Sequence, residues 1–208
     1  LRDLGCRLAI ETHGDATTWE LVRLAEATGG LTGILLDTAN VLVRVEAPLA
    51  AARRAAPHVI ATHAKDAILF FDESDENQGI VRQNRPCGQG VVPWREVLAE
   101  LGRFQPDLRL TIEDHRGLYP MPIHDASFMA AHPDLTATEL GAYVGLAWRC
   151  QRLIQRGEIA APAEAEAIPW AEEQDARIQA SAVHLRHAAA EAAAGTHGTT
   201  GGMAGGGA

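Results

Sequence analysis

The amino-acid sequence predicts an α/β fold made of consecutive β/α units around a parallel sheet, and three observations carry that prediction. Short apolar runs alternate with amphipathic stretches from Leu8 to about Gly157. The amphipathic stretches open on helix-starting signals and close on glycine or proline. Each apolar run ends on a polar residue, and the repeated order strand, helix, strand requires parallel neighbours joined by right-handed crossovers.

Cys6–Glu11 (CRLAIE) is the first predicted strand. Thr17-Thr-Trp-Glu20 has the capping-box arrangement, in which the threonine and glutamate side chains satisfy backbone N–H groups at a helix start. It opens a helix to about Thr28, ended by Gly29 and Gly30. Leu31–Asp37 (LTGILLD) is the second strand. Pro48 suits a first helical turn, and the alanine- and arginine-rich run Leu49–Ala56 is a helix that stops before Pro57. His58–His63 (HVIATH) is the third strand. The segment Asp72–Gly90 is too rich in Asp, Glu, Asn, Gln and Gly for a core and is predicted as a loop, or a short hairpin, over one end of the fold.

Pro93 then opens a helix with Trp94, Val97, Leu98 and Leu101 at helical spacing, and Leu108–Glu113 (LRLTIE) is the fourth strand. After a connection containing Pro120, Pro122 and Pro133, a second capping box at Thr136-Ala-Thr-Glu139 starts a helix that Gly157 closes. One face of it carries Leu140, Tyr143, Val144, Ala147 and Trp148. Trp94 and Trp148, both on apolar helix faces, are expected in the core. A complete eight-unit barrel takes about 250 residues, so four units amount to half of one.

Residues 1–159 thus form the β/α region. Residues 160–194 are rich in Ala and Glu, with Trp170, Ile178 and Leu185 as their large apolar anchors, and predict a marginal helix or two. Residues 195–208 (GTHGTTGGMAGGGA) have too little apolar surface to offset their ordering entropy and are predicted to be disordered, with His197 incidental. Opening on Leu1 inside the run-up to a strand is what a trimmed or incomplete chain would show.

Composition excludes several function classes. Lys and Arg total 18 against 27 for Asp and Glu, and the net charge of −9 repels phosphate backbones, so no nucleic-acid partner is expected. No run approaches the roughly 18 to 20 apolar residues of a membrane span, and the N-terminus lacks the order of a secretion signal, so a cytoplasmic protein without a membrane partner is expected. Cys6, Cys87 and Cys150 are odd in number and widely spaced, which predicts packed thiols instead of disulfides or a zinc knuckle. Dinucleotide and P-loop glycine patterns are absent, as is the nucleophile elbow of serine hydrolases.

The chemistry resides in what ends each strand: Glu11, Asp37, His63 and Glu113, one from each of four successive strands. In a parallel α/β sheet or barrel the C-terminal strand ends open on one face, so these side chains can converge. Three carboxylates and an imidazole suit Mn²⁺, Mg²⁺ or Co²⁺, with zinc a poorer match to an oxygen-rich set without thiolates. The competing reading is a solvated, charged rim.

In their surroundings, IETHGD, LLDTAN, THAKD and TIEDH, these residues resemble the metal-binding strand ends of the xylose-isomerase-like TIM-barrel superfamily of sugar isomerases and epimerases. RPCGQGVVPW, residues 85–94, is similar to the glycine-flanked turn before the seventh helix of such proteins. The resemblance covers about residues 5–157. It implies that these are strands five to eight of a TIM barrel, that the first four units are missing, and that the chain is a C-terminal half-barrel. It also implies a divalent ion held by Glu11, Asp37, His63 and Glu113, and a small carbohydrate substrate: a sugar, sugar phosphate or inositol-type keto-polyol. Glu11 and Glu113 become the catalytic acid and base. The chemistry is consistent, because a proton α to a carbonyl leaves near neutral pH only when the enediolate is stabilised, after which one carboxylate takes it and another returns it.

Around this set, His13, Asn40 and Arg116 are candidate substrate contacts, and Lys65, Asp66 and His115 are candidate supports for the ligands. Two alternatives share the scaffold: a dehydratase or lyase acting on a keto-polyol, and a non-catalytic, incomplete half-barrel whose open edges favour pairing with another copy as a homo-oligomer. A hydrolase of the endonuclease IV type ranks lower, since it requires more histidine ligands and a basic surface.

Overall fold

A computed structural model of the protein describes residues 1–72 and 79–197. Strand β1 (Leu8–Glu11) is followed by helix α1 (Thr18–Ala27), β2 (Thr32–Asp37), α2 (Pro48–Ala55) and β3 (Val59–Ala64). The chain then forms an antiparallel hairpin of β4 (Asp66–Phe71) and β5 (Ile80–Arg85) before α3 (Trp94–Gly102) and the short β6 (Thr111–Ile112). Strand β7 (Leu118–Met121), helix α4 (Ala126–Ala130), the long α5 (Ala137–Gln155), α6 (Pro162–Ala165) and α7 (Trp170–His197) complete it.

The main sheet has the order β1-β2-β3-β6 with every pairing parallel, so each strand lies beside the one that precedes it in the β/α series. That order keeps all crossover helices on one face, as in a barrel wall, and among the described residues the wall does not close. Helices α1, α2 and α3 pack side by side. Leu21, Ile34, Leu36, Val59, Ala64, Val97 and Leu101 form the core between helices and wall, each large side chain contributing about 1.5 to 3 kcal/mol by burial. Both predicted capping boxes form, Thr17 with Glu20 and Thr136 with Glu139. A second core of Ile68, Leu69, Ile80, Met121, Tyr143 and Ala147 joins the β4-β5-β7 sheet to α5.

The polar segment 72–90 proves to contain a strand paired on both sides. Residues 80–85 are buried throughout, because their polar side chains find partners inside. Gln83 donates to the Pro162 carbonyl at 2.9 Å, Arg85 donates to the Ala160 carbonyl at 3.0 Å, and Asn84 donates to the His115 carbonyl at 2.9 Å. The segment thus supplies one strand of a hairpin, and hydrogen-bonded burial overrides the composition rule that kept it out of the core. Residues 73–78 of that segment lie outside the described residues. Pro120 sits in β7, on the edge of its sheet, where a missing N–H is tolerated. Trp148 is corrected from core to surface: it is 55% exposed and covers Phe71, its ring 4.7 Å away. Cys87 and Cys150 are buried free thiols, but Cys6 is exposed.

The C-terminal extension is more firmly held than its composition predicts. Helix α7 includes residues 195–197, which were expected to be disordered; 198–208 lie outside the described residues. Of the three anchors, Leu185 is buried and Ile178 is exposed; Ser181, Ala188 and Ala192 complete the buried stripe, small enough to let α7 approach α3 closely. Arg177 clasps Asp114 with two bonds of 2.8 Å, and the Cys87 N–H donates to Ser181 Oγ at 2.9 Å. Arg177→Met would leave the buried Asp114 carboxylate without its partner. It is expected to cost about 3 kcal/mol, read as a lowered urea midpoint with unchanged m-value; a shift equivalent to less than about 0.5 kcal/mol would mean the pair is inert.

Candidate functional site

Strand alternation decides which residues meet at the end of the wall. Ile10, Ile34, Leu36, Ala64 and Ile112 face the helices, and by the two-residue period Glu11, Asp37, His63 and Glu113 face the other way. Register aligns them, since Asp37 is paired with His63, His63 with Thr111, and Glu11 with Leu35. One ligand-type atom from each of the four lies within 4.8 Å of all the others.

His63 Nδ1 stands 2.6 Å from Glu113 Oε2 and 3.1 Å from Glu11 Oε1. Asp37 is fully buried, and its Oδ1 accepts the N–H groups of Ala39 and Asn40 at 3.0 and 2.8 Å. Its Oδ2 lies 3.0 Å from Lys65 Nζ, with which it forms a buried ion pair. Burial pushes the Asp37 carboxyl upward in pKa, against the charge of Lys65. Thr12 locks β1 to β2: its Oγ1 accepts the Asp37 N–H at 2.8 Å and donates to the Asp37 carbonyl at 3.1 Å.

Lys65 enters the cluster itself, its ammonium buried 2.5 Å from Glu113 Oε1 as well as against Asp37. Burial alone would raise the Glu113 carboxyl, but the Lys65 hydrogen bond and charge, with His63, hold it below the usual range. Asn40 Nδ2 donates to Glu11 Oε1 at 3.4 Å. His115 stands at the rim, Nε2 3.7 Å from Glu113 Oε1. His13 is exposed at the mouth, 4.0 Å from Asp15.

Two of the expected residues are not brought to the cluster. Arg116 turns toward α7, donating to Glu173 at 2.7 and 3.1 Å and to the Glu166 carbonyl at 3.1 Å, so its guanidinium is already engaged. Asp66, one residue past Lys65 and on the opposite side, accepts from Ala67, Gly88, Val92 and the Trp94 indole, and thereby builds the RPCGQGVVPW turn. Gly88 there has φ +91°, the left-handed side that glycine supplies, and a Cβ on Gly90 would strike the Asp66 carboxylate.

Sequence reading missed Arg82 and Tyr119. Arg82 is 1% exposed, donates to the Asn40 side-chain oxygen at 2.8 Å and the Ala39 carbonyl at 3.3 Å, and packs its guanidinium 4.9 Å from the Tyr119 ring centre. With His13, Asn40, Lys65 and Glu113 they line a small cleft over the cluster. No alternation in IVRQNR marks the arginine, which lies within a segment read as a loop or a short hairpin. A larger apolar groove of about 530 Å³, between α3 and the end of α7, holds none of the strand-end residues.

A wall of parallel strands with its helices on one face and a carboxylate–imidazole cluster at its strand ends defines a β/α-barrel type of protein. The sequence profile of the family described as xylose isomerase-like TIM barrel matches residues 1–133, well over half of the chain, and the chain belongs to that family. It is similar to the uncharacterized protein YihM of Escherichia coli (strain K12), 33% identical over 101 residues that make up 48% of this chain and 30% of that one. Among solved structures it is similar to a xylose isomerase domain protein from Planctomyces limnophilus, with 21% identity and a TM-score of 0.44 over 69% of this chain and 48% of the other. The chain therefore spans less than a third of the first relative and about half of the second.

Proposed function

We propose that the strand-end cluster binds a divalent cation and catalyses isomerisation or epimerisation of a small polyhydroxylated carbonyl compound. The observation that carries this reading is the convergence of one ligand-type atom each from Glu11, Asp37, His63 and Glu113 within 4.8 Å of one another. Such a donor set fits a hard or borderline ion of the Mn²⁺, Mg²⁺ or Co²⁺ type. Glu11, Asp37, His63 and Glu113 would hold the ion, which when bound supplies Lewis-acid stabilisation of an enediolate.

The chain's own groups do the rest. Glu11 and Glu113 stand on the two outer strands of the wall, flanking Asp37 and His63, and serve as the acid and base that take and return the proton. Lys65 keeps Glu113 ionised and fixes its direction, while Asn40 orients Glu11 through its amide. Asp37, held by two backbone N–H groups, cannot swing away.

His63→Ala provides the test. The variant is expected to weaken Mn²⁺ binding by roughly 100-fold or more, at the upper end of what loss of even a supporting group costs, as measured by equilibrium dialysis with circular dichroism to show a retained fold. Wild-type Mn²⁺ affinity in this variant, or no retained ion in the parent protein, would sink the reading.

A further inference from the structure

Arg82 is the cleft residue whose chemistry the proton transfer does not use. It is almost wholly buried, and no carboxylate among the described residues lies within ion-pair distance of its guanidinium. Its Nε makes no hydrogen bond, and its Nη1 is bound only to neutral oxygens. A permanently charged, incompletely satisfied arginine in a dry wall is costly unless something compensates it. Within the protein its charge is met only at longer range, by the carboxylates of Asp37 and Glu113.

Charge balance points the same way. Glu11, Asp37 and Glu113 bring three negative charges, and Lys65 and Arg82 bring two positive ones. A divalent ion in the cluster then leaves the cleft with one uncompensated positive charge. A neutral polyol would leave that charge in place, whereas a substrate carrying one anionic group would neutralise it.

We propose that Arg82 receives an anionic group, a carboxylate or a phosphate, on the substrate, and so selects sugar acids or sugar phosphates over neutral sugars. Arginine suits this task because its planar fork meets such oxygens with two parallel bonds. Tyr119 covers the guanidinium and keeps it in place. The inference rests on the proposed cation and polyol site, which supplies the other half of substrate recognition.

The test is calorimetric titration of the Mg²⁺-loaded protein with glycerate, glycerol phosphate and neutral glycerol, in the parent and in Arg82→Gln. Chelation of the ion by the probe is common to both proteins, so the anion-to-neutral affinity ratio isolates Arg82. That ratio is expected to fall by about 10- to 100-fold in Arg82→Gln, the range of a charge-assisted bond pair, with Mg²⁺ still bound because all four proposed ligands are retained. A larger loss for glycerate assigns the carboxylate, and a larger loss for glycerol phosphate assigns the phosphate. An unchanged ratio with the ion still bound overturns the role of Arg82 alone, as does a parent protein without anion preference. Failure of the parent to hold Mg²⁺ overturns the proposed function instead. Should Arg82→Gln not fold, Arg82→Lys keeps the charge but loses the fork; it is expected to weaken both anions by roughly 5-fold or more, and undiminished anion binding there likewise refutes the inference.

Discussion

Substituting alanine for Asp66 is expected to destabilise the protein by about 3 to 5 kcal/mol, the cost of stranding several buried N–H donors. The carboxylate is inaccessible and takes four donors: the Ala67 N–H at 2.9 Å and Val92 N–H at 3.1 Å on Oδ1, the Gly88 N–H at 2.8 Å and Trp94 Nε1 at 2.9 Å on Oδ2. Burial pushes its pKa up to about 6, so at pH 7 and above the group is ionised in place. Alanine would strand four N–H groups, each worth about 1 to 3 kcal/mol when left dry, less whatever entering water recovers. Asp66→Asn keeps the volume but turns one acceptor into an NH₂ that faces two donors, and is expected to cost nearly as much. Denaturant unfolding measures both. A loss below about 1 kcal/mol for either variant would show that the turn at 86–92 holds itself together.

The same residue illustrates what a sequence can and cannot disclose. Order in THAKD made His63, Lys65 and Asp66 visible as a polar strand end, and His63 and Lys65 are found on one side of it, both against Glu113. What Asp66 touches was not legible, because its partners lie beyond the hairpin and are brought back only by tertiary folding. Arg82 failed for a related reason. Composition marks a segment as loop when its polar groups have no visible partners, and those of β5 are supplied by Pro162, Glu166 and Ala160, far along the chain. Arg116 was misplaced because Glu173, its partner, belongs to an extension that composition made look marginal. By contrast, the β/α order, both capping boxes and the four strand ends depend on local signals and on strand parity, and each was readable.

On the proposed function, Glu113→Gln is expected to lower turnover by about 10²- to 10⁴-fold, the usual worth of a positioned acid or base. Glutamine has the shape of glutamate and leaves a neutral oxygen for the cation, so ion affinity should fall far less than in His63→Ala. The effect on Lys65 matters equally. Its ammonium now lies between Glu113 Oε1 and Asp37 Oδ2, and with Glu113 neutral it keeps a single anionic partner. Glu11→Gln should be comparably inactive, but it leaves the Lys65 pair intact and weakens the contacts with His63 Nδ1 at 3.1 Å and Asn40 at 3.4 Å. The two variants therefore differ in a way that inactivity alone does not reveal. If Glu113 removes the proton, Glu11→Gln should still wash substrate hydrogen into solvent without forming epimer, and Glu113→Gln should do neither. Mass spectrometry of substrate recovered from D₂O separates these outcomes. Wild-type turnover in both variants would remove the two glutamates from the chemistry, and exchange confined to Glu113→Gln would reverse their roles.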